Sequence, residues 1–600
     1  MLMTKIRRLF TLLFPRTLWS RRYAVVWAGS FATILAFDLL WSFATSFRGL
    51  GFVQTYLYAV LAASVMSLAA FSRHRWPTAL VLVGASLLSL ANLMYCRTYF
   101  MPIPPASYAL GGNVAEFGDS IRHSLIIYDI VFAIIPLLTL LLMGKDNGLN
   151  RRPALKAWSV TVITVAAIAL TVGVCTRMPL AHIEHLKGEC YYRATPPVVY
   201  TLPLSVMADA LESNRPVSDA EIADAQAYLD EHRKLTDTMP IDTVANPRRN
   251  LVLIFVESLE SWPLGASVEN QEITPNLNRL IAGHRPVWIA RHITSQAGPG
   301  RSIDGQLLMT AGLRPLSDYV YSMRFPDREY PHIAKELRRD RQAVSYLLSG
   351  DRSTTWNQGA MSRRFGFDKV MFREAWDSSE SFGHPRNPSD GSFLHQVAEA
   401  MKSGKIWPVG QTAYVQIITY SSHFPFVIPP EHRKITLRDD YPEYLAEYIT
   451  AINYTDSALG TFIDYILSRP DADSTMIAIV GDHEGLASWR SDIRKSSAKA
   501  AALVDAESYV PMILINSPVS DQHNDIMGQV DVYPTLLQMS GCYNNASFRG
   551  LGFPALIRPL DADSKNRMQM LTAGQEKASS TIIRADMLRQ CKTAHDTKKL

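Results

Sequence analysis

Residues 250–257 read NLVLIFVE, and residues 475–482 read TMIAIVGD. Each is a short apolar run, rich in β-branched residues, that ends on a carboxylate. Neither run alternates between apolar and polar side chains. Strands that are apolar on both faces are typical of a parallel sheet covered by helices on its two sides. The sequence therefore predicts that both runs are buried strands of an α/β domain.

Four further runs have the same character, and helical patterns separate them. The strands are predicted at 286–293 (PVWIARHI), 343–350 (AVSYLLSG), 413–420 (AYVQIITY) and 510–516 (VPMILIN). The intervening helical patterns are TPNLNRLIAG, SIDGQLLMTAGL, YPHIAKELRRD, FLHQVAEAMKSG, EYLAEYITAINYTDSALGTFIDYILS and VYPTLLQMSG. This alternation predicts a mostly parallel central sheet flanked by helices.

The first third of the chain differs in composition, because it contains long apolar stretches. The 600 residues are 48% hydrophobic and 19% charged, which excludes a wholly disordered protein. Five apolar stretches are each long enough, at roughly 20 residues, to cross a bilayer as a helix. They lie near 23–46, 52–71, 78–96, 124–143 and 157–176. The sequence predicts an N-terminal bundle of five transmembrane helices.

The basic residues predict how this bundle is oriented. They concentrate in the N-terminal arm and in the loops after the second and fourth apolar stretches. By the positive-inside rule these segments are cytoplasmic, so five spans place the chain after Arg177 on the extracytoplasmic side. The net charge of +5 thus reports orientation, and we expect no nucleic-acid partner. The five cysteines form no CxxC pair and no disulfide framework.

Four segments follow from these patterns. Residues 1–177 are the predicted transmembrane domain, and 178–246 are a juxtamembrane helical connector. The connector contains a helix that begins at Ser218, with Glu221 completing a capping box. Residues 247–560 are the predicted catalytic domain, and 561–600 are a polar C-terminal tail, read as an exposed helix or a loose segment.

Polar residues that follow the predicted strands are the candidates for chemistry, because ligands of α/β sheets gather at the carboxyl ends of strands. They are Glu257, Ser302 at a helix start, His423, and the pair Asp482 and His483. Oxygen and nitrogen ligands suit manganese, zinc or magnesium. Ser302 would be the nucleophile for phosphoryl transfer. Taken singly, each residue also has a structural reading, as a helix cap or as a buried hydrogen-bonding group.

Several motifs occur in the order found in a known family: FVESLES, ITPNLNRL, GPGRSID, STTWNQ, SSHFPF, GDHEG and DVYPTLL. The chain resembles the lipoteichoic acid synthase and phosphoglycerol transferase family, whose members are membrane proteins of the alkaline phosphatase and sulfatase superfamily. The resemblance covers essentially the whole chain. It implies five spans, a helical connector and an extracytoplasmic sulfatase-like domain.

The resemblance also implies roles for particular residues. It implies one divalent ion, manganese first with zinc and magnesium as alternatives, held by Glu257, Ser302, Asp482 and His483. Ser302 would be the nucleophile, and Asp351, Trp356 and His423 would line the head-group pocket, with His423 aiding proton transfer.

Three positions depart from the family pattern. Serine stands at 302 where threonine is usual, Ser349 stands where a histidine is expected, and Gln358 stands where an arginine follows Trp-Asn. Arginine can clamp a phosphate through two hydrogen bonds and glutamine cannot, so the head group or acceptor can differ from that of the family. Candidates to replace that arginine are Arg301, Arg352, Arg363 and Arg364.

The implied activity is transfer of a phospho-alcohol head group from a phospholipid, with phosphatidylglycerol as donor, to an extracytoplasmic glycan or lipid. The implied location is the bacterial cell membrane. A phosphoethanolamine transferase, a sulfatase-like phosphoesterase and a membrane-tethered binding module without catalytic activity are the alternatives.

Overall fold

The computed structural model describes residues 21–44, 53–72, 74–99, 103, 124–144, 158–159, 162–163, 166, 216–240, 244–317, 320–382, 387–438, 441–486 and 489–589. The chain divides into two compact units. One contains the described residues up to 166, and the other contains those from 216 onward.

The N-terminal unit is helical. Its elements are α1 (Arg21–Ala44), α2 (Val53–Met66), which continues as a 3₁₀ turn, α3 (Trp76–Tyr99) and α4 (Val131–Leu142). Within the described residues, two helices are long and apolar enough to cross a membrane, Arg21–Phe43 and Trp76–Tyr95, and Ala59–Phe71 and Ile127–Leu142 are shorter apolar helices. These four coincide with the first four predicted spans. Most of the predicted fifth span, 157–176, lies outside the described residues, so the five-span arrangement stays a prediction.

The second unit is built on a sheet of nine strands. In the order β10-β4-β9-β8-β1-β7-β5-β6, neighbouring strands are hydrogen-bonded, and β11 pairs with β4. The strands of the sheet are β1 (Asn250–Val256), β4 (Val287–Thr294), β5 (Val344–Ser349), β6 (Lys369–Met371), β7 (Ala413–Ile418), β8 (Thr475–Gly481), β9 (Tyr509–Ile515), β10 (Asp521–His523) and β11 (Met527–Gly528); β2 (Ser267–Val268) and β3 (Gln271–Glu272) form a separate two-stranded ribbon. All six predicted strands are present.

One strand runs against the others. β9 is antiparallel to both β4 and β8, whereas the other pairs of the sheet are parallel. The prediction of a mostly parallel sheet is confirmed, and β9, at the predicted strand 510–516, is its antiparallel member. An apolar run reports burial on both faces, and a central antiparallel strand is buried in the same way.

The strand register brings three chain segments to one point. Val256 of β1 lies opposite Gly481 of β8, and Phe255 lies opposite Ile418 of β7. Because these strands are parallel, the residues that follow them leave the sheet at the same edge. This edge carries Glu257, Asp482 and the segment that leads to His423.

Helices cover both faces of the sheet. They are α5 (Asp219–Thr238), α6 (Pro275–Ile281), α7 (Ser302–Ala311), α8 (Tyr321–Arg324), α9 (Ile333–Arg341), α10 (Gln358–Phe365), α11 (Asp390–Lys402), α12 (Glu443–Ser468), α13 (Trp489–Ser496), α14 (Ala498–Leu503), α15 (Val532–Met539) and α16 (Ala562–Arg584). On one face, α6, α11 and α12 bury their apolar residues against alternate side chains of β1, such as Val252 and Ile254. The intervening side chains, including Leu253 and Phe255, point to the other face and are equally buried.

The connector helix and the C-terminal helix pack on each other. α5 begins at the predicted Ser218 cap, and its capping box with Glu221 is formed. Leu235 of α5 and Leu571 of α16 are buried in one apolar cluster, and Glu231 pairs with Arg567. The C-terminal segment from 562 to 584 is therefore a helix with one buried face rather than a wholly exposed helix or a loose tail. The domain boundaries stay predictions.

Candidate active site

Glu257 is the first residue after β1, and its side chain is almost fully buried. Its Oε2 accepts a hydrogen bond of 3.0 Å from the hydroxyl of Ser302, and its Oε1 lies 3.3 Å from His483 Nε2. The backbone N–H of Glu257 donates to Thr419 Oγ1 at 3.1 Å. The carboxylate is thus fixed between the end of β7 and the start of α7.

Ser302 is the first residue of α7, and Arg301 before it has the unusual backbone angles φ 48° and ψ −112°. The Ser302 hydroxyl does not cap the helix. It contacts Glu257 and lies 3.3 Å from His483 Nε2. Strained backbone of this kind persists where the surrounding structure holds it in place, and such positions concentrate at functional sites.

Asp482 and His483 follow β8 directly, and both are buried. Asp482 Oδ1 accepts hydrogen bonds of 2.8 Å from the backbone N–H groups of Ser258 and His483. Among the described residues its Oδ2 has no hydrogen-bond partner, and it lies 3.5 Å from His483 Nε2. The other imidazole nitrogen, Nδ1, lies 3.0 Å from the carbonyl oxygen of Glu484. In the tautomer that donates to this carbonyl, Nε2 is free to bind a ligand.

The charges of the cluster depend on one another. Burial raises the pKa of Glu257, but the positive charges of His483 and His423 and the hydrogen bonds of the carboxylate together outweigh burial and lower the pKa below its usual range. Burial and the charge of Glu257 together raise the pKa of Asp482 to about 7. Burial lowers the pKa of His483, but Asp482 and Glu257 outweigh burial and raise it to about 9. Without a cation and near pH 7, the site therefore holds a protonated imidazole beside an ionised Glu257 and a partly protonated Asp482.

These residues fit a divalent metal ion. One ligand atom from each of Glu257, Asp482 and His483 lies within 4.8 Å of the others. The buried, unpartnered Oδ2 of Asp482 points to the same conclusion, because buried carboxylate oxygens are normally hydrogen-bonded or bound to a cation. Carboxylate oxygens, a hydroxyl oxygen and an imidazole nitrogen suit manganese, zinc or magnesium.

The predicted pocket residues lie in two neighbouring loops. The His423 ring stacks on Tyr420 with 4.9 Å between ring centroids. Its charge lowers the pKa of both Glu257 and Asp351, so His423 is within electrostatic range of both. Burial nevertheless raises the pKa of Asp351 to about 6. Trp356 is half-buried with a φ of 48°, and among the described residues its indole makes no hydrogen bond or ring contact.

The three departures from the family pattern have defined places in the structure. Ser302 faces the cluster as described. Ser349 is buried, and its hydroxyl accepts a hydrogen bond of 3.1 Å from the backbone N–H of Asp351. Gln358 is buried, and its Oε1 has no partner among the described residues.

The four candidate arginines are not equivalent. Arg301 pairs with Glu484 at 2.6 Å, and its Nη2 lies 3.2 Å from His483 Nδ1. Arg364 donates to the carbonyl oxygen of Pro326, Arg363 is exposed, and the backbone N–H of Arg352 donates to Asp351. Of the four, Arg301 is the one that the structure places at the Glu257, Asp482 and His483 cluster.

Several buried carboxylates that support the site were not singled out from the sequence. Glu260 accepts hydrogen bonds from Gly485 and Leu486, Asp304 accepts from Gly298 and Gly300, and Asp390 accepts from Tyr420 and Ser421. Burial raises the pKa of Asp304 to about 7. Glu260, Asp304 and Glu484 lie inside motifs that the sequence displays, but nothing in the sequence distinguishes them from solvent-exposed acids.

Residues 249–542 match the sulfatase family model. The solved structure of the lipoteichoic acid synthase LtaP from Listeria monocytogenes shares the fold, with a TM-score of 0.50 at 18% identity over 60% of this chain and 98% of that one. The second unit thus has the same α/β fold as that structure, a mostly parallel mixed sheet flanked by helices.

The curated relatives are more specific. The chain is 25% identical over 506 residues to the lipoteichoic acid synthase of Staphylococcus saprophyticus, covering 80% of this chain and 75% of that one. It is 24% identical over 498 residues to the lipoteichoic acid synthase of Staphylococcus aureus, with the same coverage. These similarities confirm the resemblance to the lipoteichoic acid synthase group and the prediction of a phosphotransferase enzyme.

Proposed function

We propose that this protein is a membrane-anchored, metal-dependent phosphoglycerol-type transferase that works through a phosphoserine intermediate. The observation that carries the proposal is the position of Ser302. Its hydroxyl lies 3.0 Å from Glu257 and 3.3 Å from His483, at the start of a helix whose positive end favours a phosphate. The similarity to lipoteichoic acid synthases supports a phospholipid donor and a glycan or glycolipid acceptor.

Glu257, Asp482 and His483, together with Ser302, would hold one divalent ion, most simply Mn²⁺. When bound, the ion supplies positive charge that favours the ionised serine hydroxyl and the charge on the transferred phosphoryl group. The remaining roles belong to the chain. Ser302 Oγ attacks phosphorus in its ionised form, the bond from phosphorus to the diacylglycerol oxygen breaks, and that oxygen takes up a proton from protonated His423. His423 is the proposed carrier of this proton.

The second step reverses the first. An acceptor hydroxyl gives its proton to His423 and attacks the phosphoserine, the bond from phosphorus to Ser302 Oγ breaks, and Ser302 returns to its ionised form. Asp351 and Trp356 are the proposed contacts for the head group. Asp351 is held in place by hydrogen bonds from the side chains of Thr355 and Asn387, each of 3.2 Å.

We also propose the cellular arrangement predicted from the sequence. Residues 1–177 would form a five-helix transmembrane domain, 178–246 a connector, 247–560 an extracytoplasmic catalytic domain and 561–600 a C-terminal segment. The two long apolar helices and the two shorter ones in the N-terminal unit support a multi-pass protein of the bacterial cell membrane. A lipid donor explains why the catalytic domain would be tethered to a bilayer.

The test uses the purified full chain with phosphatidylglycerol labelled in its glycerol head group, in the presence of Mn²⁺. We expect release of diacylglycerol, and mass spectrometry of the trapped protein should find a glycerol phosphate on Ser302. Ser302→Ala should abolish both, whereas Ser403→Ala, at an exposed serine after α11, should not.

Two results would contradict the proposal. One is the absence of diacylglycerol release from any donor with Mn²⁺ present, and the other is a Ser302→Ala variant as active as the parent. Replacing the donor with phosphatidylethanolamine distinguishes the two head groups, because an ethanolamine phosphate on Ser302 would assign the chain to the alternative transferase class.

A further inference from the structure

Glu260 is a fully buried carboxylate three residues beyond Glu257. Its Oε1 accepts hydrogen bonds of 2.9 Å from the backbone N–H groups of both Gly485 and Leu486. These residues follow Asp482 and His483 in the chain. Glu260 therefore joins the loop after β1, which carries one proposed metal ligand, to the loop after β8, which carries two.

The second oxygen of Glu260 is held on the opposite side. Oε2 accepts a hydrogen bond of 2.9 Å from the indole N–H of Trp262, and Arg490 Nη2 lies 2.5 Å away. The Glu260 and Arg490 side chains are 0% and 8% exposed, so the ion pair is shielded from water. Removing one member of such a pair leaves a buried charge without compensation, which costs far more than breaking a surface pair.

The loops after β1 and β8 also pack closely against each other at Gly485. A Cβ at this position would lie 2.6 Å from the carbonyl oxygen of Ser258 and 2.4 Å from the ring of Tyr448. The Tyr448 hydroxyl donates to that same carbonyl at 2.9 Å and accepts from the backbone N–H of Glu260 at 3.1 Å. The turn after His483 therefore packs closely against the loop after β1, and Glu260 accepts hydrogen bonds from two of its backbone N–H groups.

We propose that Glu260, with Arg490, is a positioning residue that fixes the loop bearing Asp482 and His483 against Glu257 and so sets the metal affinity of the site. This inference rests on the proposed metal-dependent function. Glu260 itself contacts none of the proposed metal ligands through its side chain among the described residues. It acts through the backbone of Gly485 and Leu486.

The test measures Mn²⁺ binding to the full chain in detergent, by the electron paramagnetic resonance signal of the free ion. Glu260→Gln keeps the shape of the side chain but replaces one carboxylate oxygen by an NH₂ group. This group cannot accept the hydrogen bonds that the surrounding N–H donors now make to the carboxylate. We expect the Kd for Mn²⁺ to rise about 10- to 100-fold, the range found when groups behind metal ligands are removed. Arg490→Lys should shift it in the same direction, which provides a second variant if Glu260→Gln folds poorly.

Asp456→Asn is the matched control. Asp456 is also a buried carboxylate that accepts two consecutive backbone N–H groups, those of Asn276 and Leu277, at 2.9 and 2.8 Å. It clamps the start of α6 and contacts none of the proposed metal ligands. Its replacement should lower the unfolding temperature and leave the Kd of the folded protein unchanged.

Hydrogen exchange separates the inference from the function on which it rests. In Glu260→Gln, the amides of residues 483–486 should exchange faster, while those at the start of α6 should not, and Asp456→Asn should show the reverse. An unchanged Kd in folded Glu260→Gln, equal weakening by Asp456→Asn, or unchanged exchange at 483–486 would each overturn the inference. A parent chain that binds no Mn²⁺ would overturn both the proposed function and the role of Glu260 in metal affinity. The exchange rates would still report whether Glu260 holds the loop at residues 483–486 in place.

Discussion

The affinity for Mn²⁺ should depend steeply on pH between 6 and 8. In the metal-free protein the carboxylates raise the pKa of His483 to about 9, and burial with the charge of Glu257 raises that of Asp482 to about 7. A metal ion binds the neutral imidazole and the ionised carboxylate, so it competes with protons at both groups. Because both pKa values are raised, the competition weakens as the pH rises.

The size of the effect follows from these values. Between pH 6 and 8, release of the His483 proton strengthens binding by about 90-fold, and release of the Asp482 proton by about tenfold. The product is about 1000-fold. A histidine with the ordinary pKa of about 6.5 would give only about fourfold over the same interval. The structure therefore predicts a slope between one and two protons per ion across most of this range.

The assay is titration of the full chain with Mn²⁺ at pH 6, 7 and 8, followed by isothermal calorimetry in two buffers of different ionisation heat. The buffer dependence counts the released protons directly. His423→Gln is the control, because His423 is not a proposed ligand and its loss should leave most of the slope in place. An affinity that changes less than about tenfold between pH 6 and 8 would refute the assigned cluster electrostatics.

Three further outcomes are expected. Gly305→Ala should lower the unfolding free energy by about 1–3 kcal/mol and weaken metal binding, because its Cβ would lie 2.5 Å from the Asp482 carbonyl oxygen. Gly84→Ala, where a Cβ meets nothing within 4 Å, should have neither effect. Equal behaviour of the two variants in urea unfolding and in Mn²⁺ titration would contradict this expectation. Burial lowers the pKa of His232 to about 4, so the neutral histidine contributes stability that is fully present above pH 6.5 and is lost as the pH falls toward 4. The free energy of unfolding should fall by about 2 kcal/mol at pH 5 from this group, and His232→Gln should not show this loss. Parallel curves of stability against pH for parent and variant would show the reasoning to be wrong. Leu571→Ala should destabilise the second unit by about 2–5 kcal/mol in thermal unfolding, whereas no change would mean that the C-terminal helix does not contribute to the core.

Most of the fold could be predicted because its signals are local. A run such as 250–257 is apolar at every position, and the Ser218 capping box is a pattern of four residues. The direction of β9 could not be predicted, because an apolar run carries no information about the direction of its neighbours. The packing of α16 on α5 was missed for a related reason, since its buried residues are interspersed among many polar ones.

Some residues of the candidate site could likewise be predicted from the sequence, and others could not. Glu257, Asp482 and His483 could be found because they stand directly after buried strands, where the topology of an α/β sheet concentrates ligands. Ser302 was found from its loop and from the family resemblance. Glu260 was not, because its importance comes from contacts with Gly485 and Leu486, more than 200 residues away.

The sequence by itself thus determined the class of fold, the four residues of the candidate metal site and the resemblance to lipoteichoic acid synthases, since these depend on hydrophobic pattern and on residues adjacent to strands. The tertiary structure decided the direction of β9, the engagement of Arg301 with Glu484, and the carboxylates that hold the site in shape. The physical reason is that a buried carboxylate is defined by the donors around it. Those donors come from segments distant in the chain, which only folding brings within hydrogen-bonding distance.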